Sequence, residues 1–261
     1  MANHRRILLA GAPLLLLAAC ASGPTEEKKN TEGPPAAPAP AAAPAPPAAP
    51  GSVTGRILFA GAKPKDEFLT SMDANPQCLK QHGGKPPRSE VVIINDDGTL
   101  KNVFVWVKSG PLPAAPAPAT RAKLDQLKCT YTPHVLGVMV NQEIEITNSD
   151  PVNHNIHPLP QDNREWNESQ PPQGEAKIKK FDKPEIMIPF KCNVHPWMRA
   201  YVSVVPHPFF SVTGDDGRFD IKGLPAGDYV IEAVHESFGS QETKVTVADA
   251  AKTADFTFKA K

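Results

Sequence analysis

The chain of 261 residues carries 28 Lys+Arg against 28 Asp+Glu, a formal net charge of zero. No basic stripe or long charge run marks a nucleic-acid partner, so that class of function is excluded. The informative features are the 30 prolines and four cysteines, because both sort by position along the chain.

Arg5-Arg6 precede an apolar run from Ile7 to Leu17 that is too short to span a bilayer as a mature helix. The run ends at Leu17-Ala18-Ala19-Cys20. This resembles the lipobox of bacterial lipoproteins. The resemblance implies a signal peptide over 1–20, cleavage before Cys20 and a membrane anchor through lipid on its sulfur. Ala21, rather than Asp, follows the cysteine. That implies a cell-envelope location, at the periplasmic face of an outer membrane. Residues 21–51 are almost all Pro, Ala and polar residues, which favour extended conformations and predict a semi-rigid tether.

The rest reads as all-β: short alternating or apolar runs separated by Gly, Pro, Asn and Asp. Val53–Phe59 is a first strand. Glu90–Ile94, the turn Asn95–Gly98 and Val103–Val107 read as a hairpin. Pro111 to Ala119 is a second Pro/Ala linker. Gly137–Val140 and Glu143–Thr147 are strands leading to Asn148-Ser149-Asp150. Residues 158–184 read as a long polar loop with a short turn or helix. A strand over 186–190 then leads to Cys192, and Tyr201–Val205 carries the chain away.

Cys192-Asn193-Val194-His195-Pro196-Trp197-Met198 places a thiol, an imidazole and a thioether in one loop, and Asn153-His154-Asn155-Ile156-His157 precedes it. One Cys, two His and a weak axial Met form the ligand set of a blue-copper electron-transfer site. Zinc prefers four good tetrahedral ligands, and a thioether is a poor one.

In this order the two motifs resemble cupredoxins, closest to amicyanin and plastocyanin, over residues 123–206. The resemblance implies a Greek-key sandwich over 115–206 and one type 1 copper held by His154, Cys192, His195 and Met198. His157 competes with His154, but strand alternation sends the two to opposite faces and His154 has the following Asn. Met198 and His157 both stay open as ligands, and Glu165, Glu168 and Asp162 stay open as oxygen donors. Asn155 is expected to restrain the loop near the cysteine sulfur, and Trp197 with Pro196 to form an apolar collar beside His195. A redox partner protein, a cytochrome c or another copper protein, is expected to dock near His195. No catalytic dyad or trinuclear His pattern is present, so the chain reads as a carrier and not an enzyme.

Two cysteines remain, Cys78 and Cys129, which most simply form a disulfide in an exported protein. The alternative is a second metal site with His82 and His134. The last fifty residues, with Gly217-Arg218-Phe219 and Leu224-Pro225-Ala226-Gly227-Asp228-Tyr229, resemble carboxypeptidase regulatory-like β-sandwiches. The opening strand of that family matches Val53–Ile57, far upstream. The copper domain is therefore either inserted into a sandwich made of 52–110 and 207–261, or arranged in tandem with it. Two further functions stay open: a copper chaperone or storage protein, and an adhesion lipoprotein contacting glycans through the C-terminal sandwich.

Overall fold

A computed structural model describes residues 51–248 and 250–260. The signal segment, Cys20 and the 21–50 part of the tether lie outside them. The all-β expectation holds: seventeen strands in four sheets, with two short helical turns, make up the described residues. No helix among them is long and apolar enough to cross a membrane.

The strand Gly51–Ala60 alternates buried and half-exposed residues, as a sheet with one face on a core requires. It pairs antiparallel with Arg218–Leu224 and parallel with Lys252–Thr253 and Phe256–Lys259. The facing sheet runs Phe210–Val212, Phe104–Ser109, Gly227–His235 and Gly239–Val247. Val53, Ile57, Val105, Ile221, Ile231 and Phe258 meet in one core between the two. Gly55 lies where the chain passes closest to its neighbour: a Cβ there would stand 2.0 Å from the Ala254 carbonyl oxygen.

A second pair of sheets is built from the middle of the chain. One has the order Val135–Met139, Arg199–Val205, Glu185–Lys191, His154–Pro158, Glu168–Gln170. The other has Thr130–Thr132, Ala122–Leu127, Ile144–Asn148, Lys177–Lys179. Leu124, Ile144, Ile156, Ile188, Phe190 and Val202 fill the space between them. A small third cluster, Phe104, Val135 and Val205 with Phe210 against it, joins the two sandwiches.

Three expectations are corrected. The hairpin over 90–107 does not form: its turn is made, with Gly98 N donating to Asn95 O at 3.0 Å, but only single bridges flank it. Asn102, at φ 63°, turns the chain aside, and Phe104–Ser109 pairs with Gly227–His235 instead. Residues 158–184 are not one loop, since Glu168–Gln170 and Lys177–Lys179 each add an edge strand. Segment 52–110 does not lie wholly with the first sandwich either. It carries a 3-10 turn, Thr70–Ala74, and a helix, Pro76–Gln81, whose Met72 and Cys78 are buried in the second core. Asn75 caps that helix by accepting from Cys78 N at 3.2 Å, and Pro76 opens it.

Candidate metal centre

Strands Glu185–Lys191 and Arg199–Val205 pair up to Lys191↔Arg199, so residues 192–198 form the loop that closes them. Met198 N donates to His195 O at 2.9 Å and Cys192 N to Met198 O at 3.4 Å, which folds the loop back on itself. His154 opens the next strand of the same sheet, where His157 pairs with Lys191. Tyr131 stitches the two strands, its hydroxyl donating to Asn155 O at 2.8 Å and Lys191 O at 3.1 Å. Sequence reasoning gave Tyr131 no such part.

Three donor atoms converge below the loop. Nδ1 of His195 lies 2.9 Å from Nδ1 of His154 and 3.8 Å from Sγ of Cys192, and all three residues are buried. Their ligand atoms lie within 4.8 Å of one another. Met198 is fully buried in the core that contains Cys192. Asn155 surrounds the sulfur: its N donates to Sγ at 3.5 Å, and its Oδ1 lies 3.3 Å from Sγ and accepts from Asn193 N at 2.6 Å. Burial pushes the Cys192 thiol up, but hydrogen bonds from His154, His195 and the backbone outweigh it and bring the pKa down to about 5. The buried sulfur is thus a thiolate at neutral pH.

The outer nitrogens of both imidazoles are held as well. His154 Nε2 donates to Asp150 Oδ2 at 2.8 Å, and Asp150 also accepts from Lys128 N at 2.5 Å and Cys129 N at 2.6 Å. With Nε2 engaged by Asp150, Nδ1 is the nitrogen that His154 turns toward Cys192, and its lone pair is free for a metal once the Nδ1 proton is displaced, the carboxylate–histidine arrangement that orients metal ligands. Burial lowers the His154 pKa, but Asp150 and Cys192 more than offset this and hold it above the ordinary value. His195 Nε2 meets Asn75 Nδ2 at 3.0 Å and Cys78 Sγ at 3.6 Å. Asp150 and Asn75 were both missed in the sequence. Asp150, four residues before His154, was visible as a motif without its role.

Cys78 and Cys129 are joined as a disulfide. The alternative metal site is not formed: His82 Nε2 donates to Lys128 O at 2.7 Å, and His134 pairs with Glu236. His157 turns away from the sulfur to Asn193 and Glu165. Glu168 pairs with Lys177 and Lys179. Neither these carboxylates nor Asp162 belongs to the donor clusters found among the described residues. Trp197 stands against His195 with ring centroids 5.1 Å apart, its Nε1 donating to Cys129 O at 3.0 Å. His195 itself is only 2% exposed.

The donor set fits copper: two imidazole nitrogens and a thiolate in a buried, pre-shaped site, with a thioether in the same core.

No protein-family model matches the chain, and no curated protein sequence matches it. Solved structures do match parts of it. A copper-containing nitrite reductase from Thermus scotoductus SA-01 is 20% identical at a TM-score of 0.31, over 37% of this chain and 25% of the other, so the match spans about a quarter of that enzyme. A purple cupredoxin from Nitrosopumilus maritimus is 22% identical at 0.28, over 32% of this chain and 98% of that one. A methionine-to-alanine mutant of amicyanin, in its Cu(I) form, is 21% identical at 0.29, over 38% of this chain and 97% of that one.

Proposed function

We propose that this protein is a type 1 copper protein that carries single electrons at the cell envelope, anchored by lipid on Cys20. The observation that carries the reading is the convergence of His154 Nδ1, His195 Nδ1 and a thiolate Cys192 in a site closed to water. These three would hold the metal, with Met198 as a weak fourth ligand. Copper bound there supplies a one-electron change between Cu(I) and Cu(II). The chain's own part is to fix the donors so that little moves when the charge changes. Asp150 holds His154, the loop hydrogen bonds hold Cys192, and Asn75 with the disulfide holds His195.

Burial favours a resident metal over a transferred one. A chaperone must surrender its ion, whereas every donor here is at most 2% exposed. The test is the visible spectrum of the protein loaded with Cu(II). An intense thiolate-to-copper band that vanishes in Cys192→Ser is the expected result. A colourless protein that yields its metal rapidly to a chelator would replace this reading with metal storage or delivery.

A further inference from the structure

In this fold the outer nitrogen of His195 does not face solvent. Asn75 and the Cys78–Cys129 disulfide close over it. The segment from Phe68 to Val91 rises beside that cap and leaves a cleft of about 460 Å³ between itself and the ligand loop. Trp197 lines the cleft, is half-buried and packs on the buried His195 with ring centroids 5.1 Å apart. It therefore connects the donor cluster to the surface where His195 does not.

The surroundings of the cleft suit a protein partner. Phe68, 56% exposed, and Pro196 supply apolar surface. Arg199 lines this cleft and also a second one of about 450 Å³ beyond Pro196, where Lys191 joins it. Neither Arg199 nor Lys191 forms an ion pair among the described residues. Arg88, paired with Asp66, and Glu90 complete the charges on the cleft wall. On the ligand-loop side the two unpaired charges, Arg199 and Lys191, are both positive, while Glu90 stands on the opposite wall.

We infer that electrons leave through Trp197 into this cleft, and that the cleft docks a redox protein whose active edge is ringed by acidic residues. The inference rests on the copper reading and refines it, moving the docking point from His195 to the Trp197 side of the loop. Unpaired rim charges act mainly on the rate of encounter, and complementary partners gain rate in a salt-dependent way.

The experiment uses the whole protein and two anionic probes standing in for an acidic rim. In the metal-free protein, the redox-inert paramagnetic hexacyanochromate(III) should broaden the Trp197 indole N–H and Arg199 amide resonances, and Arg199→Glu should abolish this. In the protein loaded with Cu(I), hexacyanoferrate(III) gains the one electron the site loses on going to Cu(II). Arg199→Glu should slow that reaction about tenfold at low salt while leaving the visible band intact. Trp197→Leu should slow it several-fold at matched driving force, with Trp197→Phe retaining the rate if the leucine variant does not fold. Broadening centred on Val194 and untouched by Arg199→Glu, or equal slowing by Val194→Ser, would overturn the inference. Absence of a thiolate-to-copper band would instead overturn the copper reading beneath it.

Discussion

Asp150 accepts from Nε2 of His154 at 2.8 Å, and both side chains are fully buried. The same carboxylate receives the backbone N–H groups of Lys128 and Cys129, both at positive φ. One acid thus fixes the tautomer of a donor histidine and the turn that carries the disulfide.

Asp150→Asn keeps the volume but removes the charge and sets an NH2 against either His154 Nε2 and Cys129 N or Lys128 N, each of which needs an acceptor. Copper affinity should fall by about 10- to 100-fold, the usual cost of losing such an outer partner. Competition against a chelator of known affinity measures it, and an unchanged affinity would mean that Asp150 serves the turn alone.

The pH dependence of metal binding follows from two shifts of opposite direction. The His154 pKa is held above its ordinary value, so a proton competes with the metal there as the pH drops toward and below neutrality. Cys192, at about 5, stays a thiolate until well below that. Affinity should therefore fall about tenfold per pH unit as His154 protonates, and steepen below about pH 5 as the thiol adds its own proton. An unperturbed thiol would instead keep affinity climbing through pH 8. Chelator competition between pH 4 and 8 separates the two.

The four proposed ligands were legible because three of them share one seven-residue loop and the fourth lies in a short motif of its own. The ligand chemistry of that loop and the resemblance it carries brought them to notice, and the Asn after His154 set it above His157. The strands were legible for a similar reason: Val53, Gly55 and Ile57 alternate inward, a pattern that survives in one dimension. What escaped were relations between distant positions. Asn75 and Cys78 reach His195 across 120 and 117 residues, and nothing local to any of them announces the contact. The helix that delivers Cys78 has six residues, too few for an apolar period to show. Glu168–Gln170 and Lys177–Lys179 are three-residue strands and were hidden in the same way.

The disulfide closes a loop between positions 51 residues apart. Cys78→Ser with Cys129→Ser should lower stability by about 4 kcal/mol through the entropy returned to the unfolded chain. Urea unfolding without reductant measures this. Because Cys78 also touches His195, the double variant should shift the visible band of the copper form as well.

Gly55→Ala tests the close approach in the first sandwich. Its Cβ would fall 2.0 Å from a backbone oxygen and 2.7 Å from the ring of Phe219, so the backbone at Ala254, which links two short strands, must move. A loss of about 2 kcal/mol or more is expected, at the level of other overpacked cores. The donor cluster belongs to a different core, so its spectrum should not change.

His235 gives the first sandwich an acid sensitivity of its own. It is 1% exposed, stacks on Phe238 at 4.5 Å and accepts from Ser237 N at Nδ1, while Nε2 finds no partner among the described residues. Burial, against a smaller opposing effect of Glu236, lowers its pKa to about 4. The unfolded chain takes up this proton near pH 6.5 and the native state does not, so the unfolded state binds more protons between the two values. Stability from this group is therefore complete above about pH 6.5 and is lost as the pH falls toward 4, with a ceiling of about 3 kcal/mol. His235→Phe removes the titrating group, and the stray N–H with it, at similar volume. Between neutral pH and pH 4 the wild type should lose more stability than the variant, by up to that amount, as read from urea midpoints. Parallel pH profiles would show that His235 is protonated in the folded protein.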